Sequence, residues 1–511
     1  MGQMINTGLR ATAALGIGWL LASCAPIHVS SRAVSIPDTS AQHVEAVLAQ
    51  AATQLDKDGA DRLGTTLDEI THSASFGRFS PGLRYRTLLT AALVAEQQQR
   101  DTDAHELATQ ATRIEGAGDA AWSTRLNTAA DVHDYRDAAH SLVTLTRRWP
   151  ASVHNFNPDA IGNLHNLLQR AGERAADREI LDALFDAHWQ IDGREPSFLW
   201  RQLVLYHLDD HGFSRADAVA LRITSAEAVI GMLADNRFDP VIRSHPQHFN
   251  VRRLLAAEVA ERKARMVAHP DENEPITDLE ILFLMAREHP DVLGISDATV
   301  ARVEFGDGKT AYTDFDRWYV WVVDYRARAL MGEQRWSDAM RVETRAAGYP
   351  EQGAPNTSQY INLGTWLANR LKPDEAAEAI SKAGGVSAFG GMQYQGVKLR
   401  IAIERRDEPA IGAAMAYMGA HRANDMTGWE DALLLRGNKN AAAALLVQRL
   451  EDPGQRLDAL TEMQHYASCT RTPLEQSIRR RWHAVTARAD VRAALRQVGR
   501  VRHYDLCAPI R

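Results

Sequence analysis

Two short patterns contain residue types that could support chemistry. The first, Gly306-Asp307-Gly308-Lys309-Thr310, has the Gly-Lys-Thr ending of a phosphate-binding loop. That loop requires a glycine five residues before its Gly-Lys-Thr, and Val303 stands there instead. The Gly-Asp-Gly chemistry therefore predicts a turn rather than a nucleotide site.

The second pattern is a pair of histidines, His207 and His211, whose spacing puts both imidazoles on one helix face. Zinc requires at least a third ligand, and none is identifiable, so we predict two surface histidines near a helix end. His105-Glu106 lacks the second histidine of the zinc-protease pattern, and the sequence has no G-x-S-x-G nucleophile elbow. The sequence thus predicts no catalytic residue, no metal site and no cofactor.

Cys24 follows a short apolar segment, Ala11 to Leu21, that is too short to span a bilayer. The segment ends in Leu21-Ala22-Ser23-Cys24, which resembles the lipobox of bacterial lipoproteins. The resemblance implies that Cys24 becomes the acylated first residue of the mature protein. It also implies sorting to the outer membrane, since Ala25 rather than Asp follows. The alternatives are an ordinary cleaved secretory signal or a chance apolar N-terminus.

Export changes the interpretation of the two remaining cysteines, Cys469 and Cys507. An even pair in an oxidising compartment predicts a disulfide, which would constrain the unfolded chain by roughly 3–4 kcal/mol. The alternative is two unrelated buried thiols, because sequence does not give the distance between their side chains.

Composition favours an all-α protein with a long core. The chain has 511 residues, of which 45% are hydrophobic and 24% charged, so two or more domains or one repeat array are expected. Alternating Val and Ile runs are rare, whereas Ala, Leu, Arg, Glu and Gln fill long stretches. The net charge of −7 argues against nucleic-acid binding, and Arg479-Arg480-Arg481 is interpreted as a solvated helix face.

The stretch from Trp122 to Pro150 predicts a helical hairpin. Trp122 and Leu126 share one face of its first helix, Tyr135, Ala138 and Leu142 share one face of its second, and Pro150 ends it. A single hairpin cannot bury its apolar face alone, so similar neighbours are expected.

Such neighbours are present along the chain. Trp200 and Ala216 repeat the spacing of Trp122 and Ala138, and Ala104 precedes Ala138 by 34 residues. With its tryptophan, its Tyr-x-x-Ala and its terminal proline, the unit resembles a tetratricopeptide repeat. Further units with a small residue in the equivalent place are predicted around Ala176, Ala339, Ala376, Ala410 and Ala442. The resemblance implies a right-handed α-solenoid of tetratricopeptide-like hairpins.

The middle of the chain departs from this pattern. Residues Thr299 to Thr313 alternate in polarity around Gly306-Asp307-Gly308, which predicts a small β-hairpin insertion. The predicted organisation is a signal peptide (1–23), a tether (24–40), an N-terminal array (41–237), a divergent junction (238–315), a C-terminal array (316–468) and a capping segment (469–511).

The predicted function follows from anchor and array together. We expect a non-enzymatic scaffold or adaptor of the cell envelope, held by lipid to the outer membrane and facing the periplasm. Its concave repeat surface would bind envelope proteins. The alternatives are a binder of glycan or other small envelope ligands in an aromatic-lined groove, and an enzyme with its site in residues 238–315.

Overall fold

The computed structural model of the chain describes residues 40–51, 57–154, 156–306, 308–350, 354–467, 469 and 472–508. Two compact units are present: the N-terminal unit extends to Tyr206 and the C-terminal unit begins at His207. Both are built almost entirely from α-helices, so the predicted all-α class is confirmed. The predicted signal peptide, Cys24 and nearly all of the tether lie outside the described residues.

Helices in the N-terminal unit follow one another through short turns. The helices that begin in this unit are α1 (Ala41–Ala51), α2 (Lys57–His72), α3 (Pro81–Gln97), α4 (Asp101–Thr112), α5 (Asp119–Asp131), α6 (Tyr135–Arg148), α7 (Pro150–Val153), α8 (Pro158–Ala171), α9 (Arg174–Asp186) and α10 (Ser197–Asp209).

The C-terminal unit continues the same plan and adds one pair of short parallel strands, the only sheet in the described ranges. Its elements are α11 (Phe213–Ala220), α12 (Ala226–Ala234), α13 (Asp239–Ser244), α14 (Val251–Ala268), α15 (Glu274–Ala286), α16 (His289–Phe305), α17 (Phe315–Gly332), α18 (Trp336–Ala347), α19 (Thr357–Asn369), α20 (Pro373–Ser381), α21 (Ala388–Arg405), α22 (Glu408–Ala420), α23 (Met426–Leu435), α24 (Lys439–Glu451), α25 (Arg456–Glu462), β1 (His465–Tyr466), α26 (Pro473–Thr486), α27 (Ala489–Val498) and β2 (His503–Tyr504).

A turn of constant backbone geometry joins the two helices of successive hairpins. Between α5 and α6, His133 has a φ of 62°, and the Asp134 N–H donates to the Ala129 carbonyl at 2.8 Å. This is the Schellman arrangement, in which a left-handed residue ends a helix and satisfies its last carbonyls. The same positive φ and the same hydrogen bond recur at Gln99, Gly172, His211, Arg287, Gln334, Leu371, Arg406 and Gly437.

The turn fixes which residue of the second helix lies closest to the first. The fifth residue after the positive-φ position is fully buried, and in most hairpins it is an alanine, so that the two helices approach closely. Gly364 of α19 shows the consequence, since an added Cβ there would overlap Ile380 and lie 3.5 Å from the Ala376 carbonyl. The alanines in this place are Ala104, Ala138, Ala216, Ala339, Ala376 and Ala442.

Two of the predicted small-residue positions are wrong by one residue. Ala176 and Ala410 are only partly buried, while Asp177 and Ile411 occupy the place that the turn defines. The prediction followed the nearest alanine in the sequence, whereas the left-handed residue of the turn sets the helix register. Small size is therefore common in this place but not obligatory.

A buried aspartate, Asp177, is tolerated in this place because three side chains make polar contacts with its carboxylate. Its oxygens lie 2.7 Å from His165 Nδ1, and they accept hydrogen bonds from Gln169 at 3.0 Å and from the Tyr206 hydroxyl at 2.6 Å. Burial, followed by the charge of Asp177, raises the pKa of Tyr206, so the phenol remains a donor at any physiological pH. A saturated polar network replaces the methyl group found in other hairpins.

The predicted β-hairpin over Thr299 to Thr313 is wrong. Helix α16 extends to Phe305, and residues Gly308–Ala311 form a 3₁₀ turn. Val292, Ser296 and Thr299 are buried at helical spacing. The β-hairpin was predicted from a sequence window that begins at residue 299, so it left out the first two of these residues. Gly308 has a φ of 62° and belongs to a turn, as its composition predicted.

No helix within the described ranges is both long enough and apolar enough to cross a membrane.

The buried position where paired helices touch predicts a difference in stability between two variants. Ala138→Leu should lower the free energy of unfolding by about 1–3 kcal/mol, because added methylenes would force α5 and α6 apart. The matched variant Ala175→Leu, at an exposed position in the first turn of α9, should change it by less than about 0.5 kcal/mol. Urea unfolding followed by circular dichroism measures both, and equal losses would contradict the role of the turn.

Candidate binding site

A disulfide and a strand pair hold the C-terminal residues in place. Cys469 and Cys507 are bonded, with their Cα atoms 5.9 Å apart. Beside them β1 pairs with β2 in parallel, with His465 opposite His503. The Cys507 N–H also donates to the Met285 carbonyl at 2.8 Å, so the last residues are tied to α15 as well.

Helix α26 begins at a capping box and displays a polar stripe. The Thr472 hydroxyl accepts from the Glu475 N–H, and the Glu475 carboxylate accepts from the Thr472 N–H at 2.8 Å. After this start, the spacing of residues 476, 479, 480 and 483 puts them on one helix face. They are Gln476, Arg479, Arg480 and His483. The opposite face, with Ile478, Trp482 and Val485, packs into the core.

The polar stripe of α26 forms one wall of a cavity of about 710 Å³, which we call the basic cavity. Gly332 has a structural reason to be glycine, since an added Cβ would overlap the ring of His289. The lining comes from the α15–α16 turn, the α17–α18 turn, the disulfide and α26. Its residues are Arg287, His289, Gly332, Gln334, Trp336, Cys469, Gln476, Arg479, Arg480 and His483.

Positive groups converge on this cavity. The Arg479 Nε donates to His483 Nε2 at 3.2 Å, and burial lowers the pKa of Arg479. Burial, then Arg479 and His465, lower the pKa of His483. Burial, then His503 and Arg479, lower the pKa of His465. Burial and the nearby positive charge of Arg479 thus both favour the neutral form of the two histidines.

Carboxylates near the basic cavity are engaged at its rim. Glu333 lies 3.1 Å from His289 Nδ1, and Asp505 accepts from Arg287 at 2.9 Å. In the part of the chain that the structure describes, no carboxylate pairs with Arg479 or Arg480. The cavity thus keeps a surplus of positive charge, which focuses a field that attracts anions.

A second cavity, of about 450 Å³, lies between α18, α19 and α20, and we call it the apolar groove. Met340, Leu363 and Leu367 form its floor. Ion pairs stand on its edge, with Lys372 2.8 Å from Glu375 and Lys382 3.0 Å from Glu378. An apolar floor with a charged rim is the usual design of a protein-binding surface.

Three buried carboxyl groups lie elsewhere in the C-terminal unit. Glu280, Asp324 and Glu343 are fully buried, and Arg328 donates to Asp324 at 2.6 Å. Burial, followed by the charge of Asp324, raises the pKa of both glutamates well above the usual range. These groups have no exposed surface and lie where α15, α17 and α18 meet.

The structure places the residues singled out in the sequence in different environments. Cys469 and Cys507 come together, while lipidation of Cys24 stays a prediction. His211 is exposed, as predicted, and supplies the left-handed residue of a turn. His207 is buried, so the prediction that it lies on the surface is wrong. No cluster of three or more His, Cys, Asp or Glu residues in the described ranges could hold a metal ion.

The interpretation of Arg479-Arg480-Arg481 as a solvated helix face is correct only for Arg480, which is exposed, whereas Arg479 and Arg481 are half-buried. Arg479 and Arg480 line the basic cavity. Arg481 donates to the Leu434 and Leu435 carbonyls, both at 2.6 Å, and so caps the end of α23. The i, i+3, i+4, i+7 spacing from Gln476 to His483 was the available signal.

No protein-family model and no curated protein matches the chain. Among solved structures, a chain of "Structure of Naa15/Naa10 bound to HypK-THB" aligns with 13% identity and a TM-score of 0.25. The alignment covers 82% of this chain and 70% of that one. Such a low score supports no inference about ligands or partners.

The disulfide predicts a measurable stability loss. The variant Cys469→Ser/Cys507→Ser should unfold with a free energy roughly 3–4 kcal/mol smaller, because the bond no longer restricts the unfolded chain. Urea unfolding followed by tryptophan fluorescence measures this. Reductant should lower the wild-type midpoint and leave that of the variant unchanged. An identical midpoint for both oxidised proteins would contradict the prediction.

Proposed function

We propose that the protein is an exported, lipid-anchored adaptor without enzymatic activity, which binds protein partners along its helical hairpins. The observation that carries the proposal is the apolar groove between α18, α19 and α20, because it exposes part of the hairpin packing surface to solvent. A partner segment could insert apolar side chains there and pair its charges with the lysines and glutamates of the rim.

Lipidation at Cys24 would confine this surface to one membrane face. Acyl chains attached there stabilise anchoring by about 0.8 kcal/mol for each buried CH₂. The Cys469–Cys507 bond supports the same location, since disulfides persist in oxidising compartments such as the periplasm. The proposed location is therefore the outer membrane, with the helical body facing the periplasm. Confinement would raise the effective concentration for partners in the same envelope.

The second candidate, a binder of small envelope ligands, is favoured by the basic cavity. Its volume of about 710 Å³ falls in the range of small-molecule sites, and its lining is charged rather than purely apolar. A small-ligand site and a partner-binding groove are compatible within one chain.

The apolar groove makes partner binding testable. Thr344→Arg places a long cation at the exposed edge of the groove, so it should abolish recovery of the partner from solubilised envelope. Ser337→Arg is the matched control, since Ser337 is exposed on the same helix and does not line the groove. Partner recovery is measured by affinity pull-down with mass spectrometry. Saturable glycan binding with no recovered protein, or equal recovery by both variants, would refute the adaptor role.

The lipid anchor has an independent test. Cys24→Ala should move the protein from the membrane fraction to the soluble periplasmic fraction, because the acylated residue is lost. Fractionation with immunoblotting measures the change, and metabolic labelling with a palmitate analogue should mark only the wild type. Unchanged membrane association of the variant would argue against acylation at this residue.

A further inference from the structure

We propose that the basic cavity binds a phosphate monoester through Arg479, Arg480 and His483. The site goes beyond the adaptor role, because it would recognise a small anionic group rather than a folded partner. Both cavities lie in the C-terminal unit, but they are lined by different residues: the basic cavity and the apolar groove share no lining residue.

The first support is the charge imbalance in the cavity. Arg479 is half-buried, yet its only hydrogen bond within the described residues goes to a histidine rather than to a carboxylate. Arg480 stands next to it on the wall, is exposed, and has no ion-pair partner in those ranges. Partly burying the Arg479 cation without a counter-charge is costly, and an incoming anion would relieve that cost.

The second support is the geometry of the hydrogen-bond donors on the cavity wall. A guanidinium offers a rigid fork of N–H donors, which matches the oxygens of phosphate two at a time. Two adjacent guanidiniums balance the two charges of a phosphate monoester, whereas a single carboxylate would leave one cation unpaired. The imidazole of His483 adds a third donor on the same helix face.

The third support is size. A cavity of about 710 Å³ accommodates a small molecule or a headgroup, since ligand sites commonly measure about 300–1,000 Å³. The phosphate group could belong to a soluble ester or to a lipid headgroup, which share the same recognition chemistry.

Binding should change the titration of nearby histidines. The charged or titratable groups around His483 are Arg479 and Arg480 on its own helix, His465 and His503 on the strands, and His289 and Arg287, with Glu333 and Asp505, across the cavity. Burial, followed by Arg479 and the neighbouring imidazole, holds the pKa of His483 and of His465 below the ordinary value. A bound phosphate favours the protonated imidazoles, so both pKa values should rise and the complex should take up protons.

Calorimetric titration of the oxidised full-length protein with glycerol phosphate, and with glycerol as the uncharged reference, tests the site. Saturable binding of the phosphate alone is expected. The variant Arg479→Gln/Arg480→Gln should weaken it at least about tenfold, as expected for lost charge-assisted hydrogen bonds. The variant Arg492→Gln/Arg496→Gln, on the exposed face of α27, removes the same charge and should bind like the wild type.

A second arm distinguishes the sources of the phosphate. Binding is measured to phosphatidylcholine vesicles with and without phosphatidic acid. A lipid headgroup is the source if only the vesicles with phosphatidic acid bind and the Arg479/Arg480 double variant loses that binding. Tighter binding of polyglutamate than of either phosphate would overturn the proposal in favour of an acidic protein segment. Absence of saturable phosphate binding in both arms, or equal weakening in the two double variants, would also overturn it.

A measurement on the wild type does not depend on how the variants fold. In NMR titrations, the His483 and His465 ring signals should report higher pKa values when glycerol phosphate is saturating. Unchanged values in its presence would show that the anion does not occupy the basic cavity. Because partner recovery depends on the apolar groove, this result does not decide the adaptor role.

Discussion

The close approach of paired helices is the constraint on which the rest of the structure depends. A left-handed residue ends the first helix and thereby decides which residue of the second lies against it. At Ala138 and Ala339 that residue carries only a methyl group, and the helices pack directly. At Asp177 it is a carboxylate, which is accepted because His165, Gln169 and Tyr206 bond to it. The constraint is thus on fit and hydrogen bonding rather than on residue type.

The fold was predictable where apolar spacing and turn geometry agree. Trp122 and Trp200 each precede a turn histidine and a buried alanine at the same distances, so the repeat could be recognised from sequence. The predicted contact residues Ala176 and Ala410 were wrong, because the positive φ at Gly172 and Arg406 sets the helix register. Of these two turn positions, only Gly172 has a residue type that is typical of a positive φ. The segment after Thr299 was misjudged since its helix begins ten residues earlier, at His289.

The basic cavity was less accessible to sequence analysis than the fold. The stripe on α26 has helical spacing, but spacing alone does not separate a cavity wall from a solvated face. What makes it a wall is the turn residues around His289 and Trp336, which come from remote parts of the chain. The cysteine pair was predictable from its parity together with the predicted export signal, whereas its position beside these residues required the folded chain.

Charge pairing elsewhere in the C-terminal unit gives significance to Arg479 and Arg480, which have no carboxylate partner among the described residues. Arg449 is almost fully buried and contacts the carboxylates of both Glu430 and Glu462. Even so, burial raises the pKa of Glu430 to about 8, which shows how costly an enclosed charge is in this protein. Arg328 is likewise paired with Asp324. Arg479 and Arg480 differ from these two arginines, because no carboxylate among the described residues pairs with them. Both are at least partly exposed where they line the basic cavity, so an anion from solution can reach them there.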